Sequence, residues 1–105
     1  MEDLLAFYIT FPSKESAEKI CSALIEKKLI ARSNILPIEA AYWWQGAVQH
    51  EQEVLAFVKT VSRLEKNLIE EVERIHPYDT PCIIHWPVKA NEKYSKWVSD
   101  SVRSA

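Results

Sequence analysis

The sequence holds a single glycine, Gly46, in 105 residues, and that scarcity excludes several activities at once. Phosphate-cradling loops and dinucleotide fingerprints need several glycines at fixed spacing, so both are ruled out. The two cysteines, Cys21 and Cys82, stand far apart and form no C-x-x-C pair. Neither a zinc knuckle nor a dithiol redox motif is therefore offered. No G-x-S-x-G nucleophile elbow is present. No apolar run approaches the roughly 20 residues that span a bilayer. A net charge of only −2 argues against nucleic acid or an anionic membrane as the partner. The chain opens on the acidic Met1-Glu2-Asp3 and runs straight into a strand-like segment, so no signal peptide is expected and the expected compartment is the cytoplasm.

What is present suits one globular domain over residues 1–105, with 48% hydrophobic and 27% charged residues. Leu4 to Thr10 is an unbroken apolar run rich in aromatic and β-branched residues, the pattern of a strand buried on both faces. Pro12 ends it and Ser13 is placed to cap a helix. Ala17, Ile20, Cys21, Leu24 and Ile25 then recur at helical spacing, and Cys21 reads as a small core residue of that stripe. A long hairpin follows. Ser62-Arg63-Leu64-Glu65 has the form of a capping box, and Leu64, Leu68, Ile69, Val72 and Ile75 continue a second helix that His76-Pro77 stops. Thr80 to Val88 predicts the last strand. Asn91 predicts the cap of a final helix whose buried stripe is Tyr94, Trp97, Val98 and Val102. The order is β-α-β-β-α-β plus a C-terminal helix, an α+β, ferredoxin-like sandwich with the first and third strands central. The apolar runs fall on those two strands. Pro37 and Pro87, which cannot donate to a ladder, fall on the other two and mark them as edges.

The hairpin runs from Ala31 to Thr60 and turns at Gln45-Gly46, where a residue with positive φ is required. That register sets Trp44 opposite Ala47, Trp43 opposite Val48 and Ile35 opposite Ala56. Arms of about 13 residues span roughly 43 Å, whereas a domain of this size has a diameter near 33 Å. The tip overshoots its support while carrying Tyr42, Trp43 and Trp44, so an oligomer interface around these residues and Gly46 is expected.

Chemistry is sparser. His50, Glu51 and Glu53 lie near the tip, with both carboxylates on one strand face. Such a pair suits acid–base work or a solvated surface between subunits. Cys82 and His85 are three residues apart on a strand and point to opposite faces. His76, ending a helix, and Cys82, opening the next strand, can converge, though two ligands are fewer than a zinc site needs.

The segments YWWQGAVQHEQEVLAFVKT, HPYDTPCII and KLIARSNI together resemble the signature of the CutA divalent-ion tolerance family over nearly the whole chain. The resemblance implies a ferredoxin-like homotrimer similar to the PII signalling proteins, with clefts between subunits, and a role in tolerance to copper and other divalent cations. The ligand positions it implies hold Ile9, Ile75 with His76, and Cys82 here. Only His76 keeps the family's type, and Cys82 is a softer donor suited to copper(I) or zinc. A weak copper or zinc site at His76 and Cys82, with no required cofactor, is the resulting expectation. Lys59, His76, Tyr78 and Thr80 match the family and would line a cleft for a metal ion or small anion. Alternatively, Lys59, Tyr78 and Trp44 would simply cement the trimer. A PII-like module presenting its aromatic tip to a protein partner is the alternative reading. An enzyme using Lys59 and His76 as acid and base is disfavoured, because no nucleophile–base pair is visible.

Overall fold

The computed structural model describes residues 3–104. Met1, Glu2 and Ala105 lie outside them, and with them the acidic start of the chain from which a signal peptide is judged absent. The elements run β1 (Leu4–Phe11), α1 (Lys14–Glu26), β2 (Arg32–Trp44), β3 (Ala47–Val61), a 3₁₀ turn (Ser62–Leu64), α2 (Glu65–Ile75), β4 (Ile83–Val88) and α3 (Glu92–Ser101). The sheet is antiparallel in the order β2-β3-β1-β4, so the proline-bearing strands are the edges as expected. No helix of the described residues is long and apolar enough to cross a membrane.

Hairpin register follows from the turn. Gln45 at φ 49° and Gly46 at φ 80° give the two left-handed residues of a type I′ turn. The pairs Trp44–Ala47, Trp43–Val48 and Ile35–Ala56 form as predicted, and Pro37 sits opposite Val54 in unbroken register. The hairpin stretches the molecule to 47 × 24 × 21 Å.

Alternation along the strands separates two faces. Phe7, Ile9 and Phe11 of β1 and Ala56 and Val58 of β3 are fully buried. They form one core with Leu24 of α1, Leu68 and Val72 of α2 and Val98 of α3. Ser13 caps α1, its side chain accepting from the Ser16 N–H at 3.1 Å. At the other end Leu29 N–H donates to Leu24 O and Lys28 N–H to Ile25 O, a Schellman closure. Lys28 takes the left-handed position at φ 56°, where glycine is usual.

Four expectations need correction. Trp97, expected on the buried stripe of α3, is 45% exposed. The Ser62–Glu65 capping box does not form. Ser62 N–H donates to Asp3 O at 3.0 Å, extending the β1–β3 ladder, and a 3₁₀ turn precedes α2 with no side-chain cap. Asn91 holds the N-cap position of α3 but makes no side-chain cap bond. The last strand begins at Ile83, not Thr80: its ladder with β1 ends at the Ile9–Ile83 pair, and beyond it His76 takes the carbonyl of Thr10.

Candidate functional site

The sheet face away from α1 and α2 is where chemistry and exposure coincide. Leu36, Tyr42 and Trp44 of β2 and Ile84 and Trp86 of β4 all alternate onto it, and each is 38–59% exposed. Trp43 turns the other way beside its partner Val48, at 75% exposure. Tyr42 and Trp44 therefore share the open face, and Trp43 does not. The other exposed large apolar side chains of that face, at Leu36, Ile84 and Trp86, are not among the residues expected at an interface. Their signal was available, since apolar residues occupy both parities of the first hairpin arm at Ile35, Leu36 and Ile38.

Toward the hairpin this face deepens into an open concavity of about 1210 Å³, lined among others by Tyr42, Glu51, Glu53, Tyr78, Thr80 and Cys82. The loop supplying the last three is stiffened by Pro77 and Pro81 and anchored by His76. That ring is 8% exposed and stacks on Phe11 at 4.8 Å between centroids. Its Nδ1 accepts from Tyr78 N–H at 3.0 Å, leaving Nε2–H to donate to Thr10 O at 2.7 Å. Both nitrogens are committed, so the ring has no lone pair left for an ion. Burial lowers its pKa from the ordinary value, with the Thr10 carbonyl partly opposing. His76 acts as the loop's anchor and does not line the concavity.

Tyr78 turns its hydroxyl into the concavity and donates to Glu53 Oε2 at 2.9 Å. Burial, and then this carboxylate, push its pKa far above the phenol range, so the hydroxyl stays protonated. Tyr42 is raised too, chiefly by the bond to Glu51. Burial and then Glu53 raise the Cys82 thiol, with Thr10 partly offsetting them. A protonated thiol is a poor nucleophile, and it ligates a metal ion only by giving up its proton.

Lys59 lies at the opposite end of the face. It stands six positions along β3 from Glu53, about 20 Å of strand. Its ammonium donates to Asn34 Oδ1 and, at 3.3 Å, to Phe57 O, and sits 4.6 Å from the Phe57 ring centroid. Burial, and then the charge of Arg32, lower its pKa. One chain thus brings Tyr78, Thr80 and Cys82 together with Glu51 and Glu53, and leaves Lys59 apart. Lys59 and His76 do not meet as an acid–base pair. His85 is on the helix face, stacked on Phe7 at 4.9 Å and 3.3 Å from Glu65. Among the described residues, no three His, Cys, Asp or Glu side chains are grouped to hold a metal ion.

Comparison with known proteins places this geometry. A family model described as CutA1 divalent ion tolerance protein matches residues 5–101. The divalent-cation tolerance protein CutA of Pyrococcus horikoshii is 40% identical over 101 residues, covering 95% of this chain and 99% of that protein. The crystal structure of CutA1 from the same organism superposes with a TM-score of 0.92 at 39% identity, covering 95% and 99% of the two chains. That of CutA1 from Oryza sativa gives 0.95 at 39% identity, covering 99% and 97%.

Proposed function

The chain belongs to the CutA1 divalent ion tolerance family, and from that premise we propose that it works as a homotrimer whose clefts between copies take up a metal ion or a small anion without turning it over. The observation that carries this reading is the uncovered sheet face. Five large apolar side chains, Leu36, Tyr42, Trp44, Ile84 and Trp86, stand exposed on one side of one sheet. Covering each contributes about 1.5–3 kcal/mol, and none of the described elements covers them. Two more copies supply what is missing.

A divalent ion does not fit the donors of one chain, because His76 is fully bonded and no triad of ligating side chains exists among the described residues. The ion is therefore a transient ligand of the assembly and not a resident cofactor. Cys82 and Glu53 offer a soft and a hard donor at the concavity wall, and a neighbouring copy must complete the shell. Binding is weak, with copper(I) or zinc preferred over magnesium or calcium, whose oxygen-rich shells are lacking. No enzymatic family is indicated, and the protonated Cys82 and Tyr78 give no nucleophile–base pair.

Calorimetric titration with zinc tests the site. Wild type and His76→Ala, provided that variant is still assembled, should bind zinc comparably and weakly, whereas Cys82→Ser should lose it. No heat with wild type, or loss with His76→Ala alone, would overturn this assignment. For the assembly, light scattering should find wild type as a trimer and Leu36→Glu as a smaller species.

A further inference from the structure

The two helices on the covered side of the sheet leave a groove between them. Lys27 at the end of α1 bonds Glu71 of α2, and the facing residues enclose about 370 Å³. Small ligands occupy pockets of about 300–1,000 Å³. The floor is apolar, made by Ile20 and Ala23 of α1, Ile75 at the end of α2, and Pro77 just beyond. Charge is confined to Lys19 and Lys27, eight residues and about 12 Å apart along the helix axis, and the two differ. Lys27 is engaged by Glu71, which Arg74 also holds at 2.6 Å. Arg74, and then Lys27, bring that carboxyl down to about 2, so this end of the groove is closed by a matched ion pair. Lys19 stands at the other end, one turn after Ser16. Among the described residues no carboxylate comes within ion-pair distance of it, not even Glu15 or Glu18 on the same helix.

We propose that this groove is a second ligand site, which takes a small anionic amphiphile with its apolar body on Ile20, Ala23, Ile75 and Pro77 and its carboxylate at Lys19. An apolar floor with one unmatched cation at its edge complements an apolar body carrying one negative charge. The long lysine stem lies along the apolar wall while its ammonium stays at the mouth. The carboxylate therefore meets its partner without leaving water entirely, which keeps the cost of desolvation low. The site lies on the opposite side of the sheet from the open face and does not depend on the assembly. It does adjoin the candidate site through the chain, because Pro77 lines both the groove and the concavity. Its occupant rests on the loop that His76 anchors.

Calorimetric titration with decanoate, below the concentration at which it forms micelles, tests the site. Wild type should bind decanoate about tenfold more tightly than decanol, which has the same body and no charge. Lys19→Glu should weaken decanoate about tenfold or more, because like charges are then juxtaposed. Lys66→Glu, the same change at the far end of α2, should leave it as in wild type. Ala23→Trp, which fills the floor, should abolish binding of both probes. Circular dichroism confirms that each variant is folded, and Lys19→Glu, at an exposed helical position, decides the matter if Ala23→Trp is not. No binding to wild type, equal affinity for decanoate and decanol, or equal binding by Lys19→Glu and Lys66→Glu would overturn the proposal. So would decanoate still bound by a folded Ala23→Trp. Capture of an acidic helical peptide but not of decanoate would overturn it in favour of a protein partner, and loss of assembly in Ala23→Trp in favour of a second copy.

Discussion

Replacing His76 probes the most constrained side chain of the candidate site. The ring makes two hydrogen bonds, to Thr10 O and from Tyr78 N–H, each contributing about 1 kcal/mol. Its stacking on Phe11 adds about 1 kcal/mol. His76→Ala should therefore cost about 3 kcal/mol, and His76→Phe, which keeps a stacked ring, about 2 kcal/mol. The pH dependence is the sharper test. In the folded chain the neutral ring is favoured and its pKa lies below 6.5, so the unfolded chain binds the proton first. Stability then rises with pH across that window and is lost as pH falls below about 6.5. A charged ring would also carry a proton on Nδ1, against the Tyr78 N–H, and release the loop over the concavity. Urea denaturation at one fixed protein concentration, at pH 7.5 and pH 5.5, for wild type and His76→Phe reads both effects. The wild type should lose more stability than the variant on acidification. Equal losses, or a wild-type ring that binds zinc in place of Thr10 O, would refute the assignment of His76 as a loop anchor.

Other perturbations separate the remaining parts of the account. Lys28→Gly, which relieves a left-handed lysine at φ 56°, should stabilise the protein by about 1 kcal/mol, read as a raised urea midpoint; no gain or a loss would show the Lys28 side chain to be needed. Trp44→Ala should weaken assembly by about 1.5–3 kcal/mol per contact and Trp43→Ala by less, since Trp43 faces away from the open face; sedimentation that finds the order reversed would place the interface on the other side. Cys82, half-buried, should react with a thiol reagent faster than the buried Cys21, although burial raises both thiols. Equal rates would remove Cys82 from an accessible cleft.

Much of this was legible in the chain because its punctuation is sparse. With one glycine and a proline on each outer strand, Gly46, Pro37 and Pro87 dictate the hairpin register and the edges almost alone. Local signals misled where a tertiary contact overrode them. Ser62 has the sequence of a cap, yet its N–H completes the ladder to Asp3. Arg63 reaches across to the carbonyls of Ser99 and Arg103 at the end of α3, and both hold the segment in a 3₁₀ turn. His76 stood out as a ligand because imidazole beside a thiol suggests a metal. Only coordinates reveal that Thr10, 66 residues away, takes its Nε2. Lys59 and Tyr78 are expected in one cleft between subunits, and within a single chain β3 sets them at opposite ends of the open face.

The central claim is that further copies of the chain cover the open sheet face, and a native mass spectrum at micromolar concentration tests it most directly. The account predicts one dominant species at three times the 12.2 kDa chain mass, dissociating when Leu36 is replaced by glutamate. A dominant folded monomer of wild type, with Leu36, Tyr42, Trp44, Ile84 and Trp86 open to solvent, would contradict it.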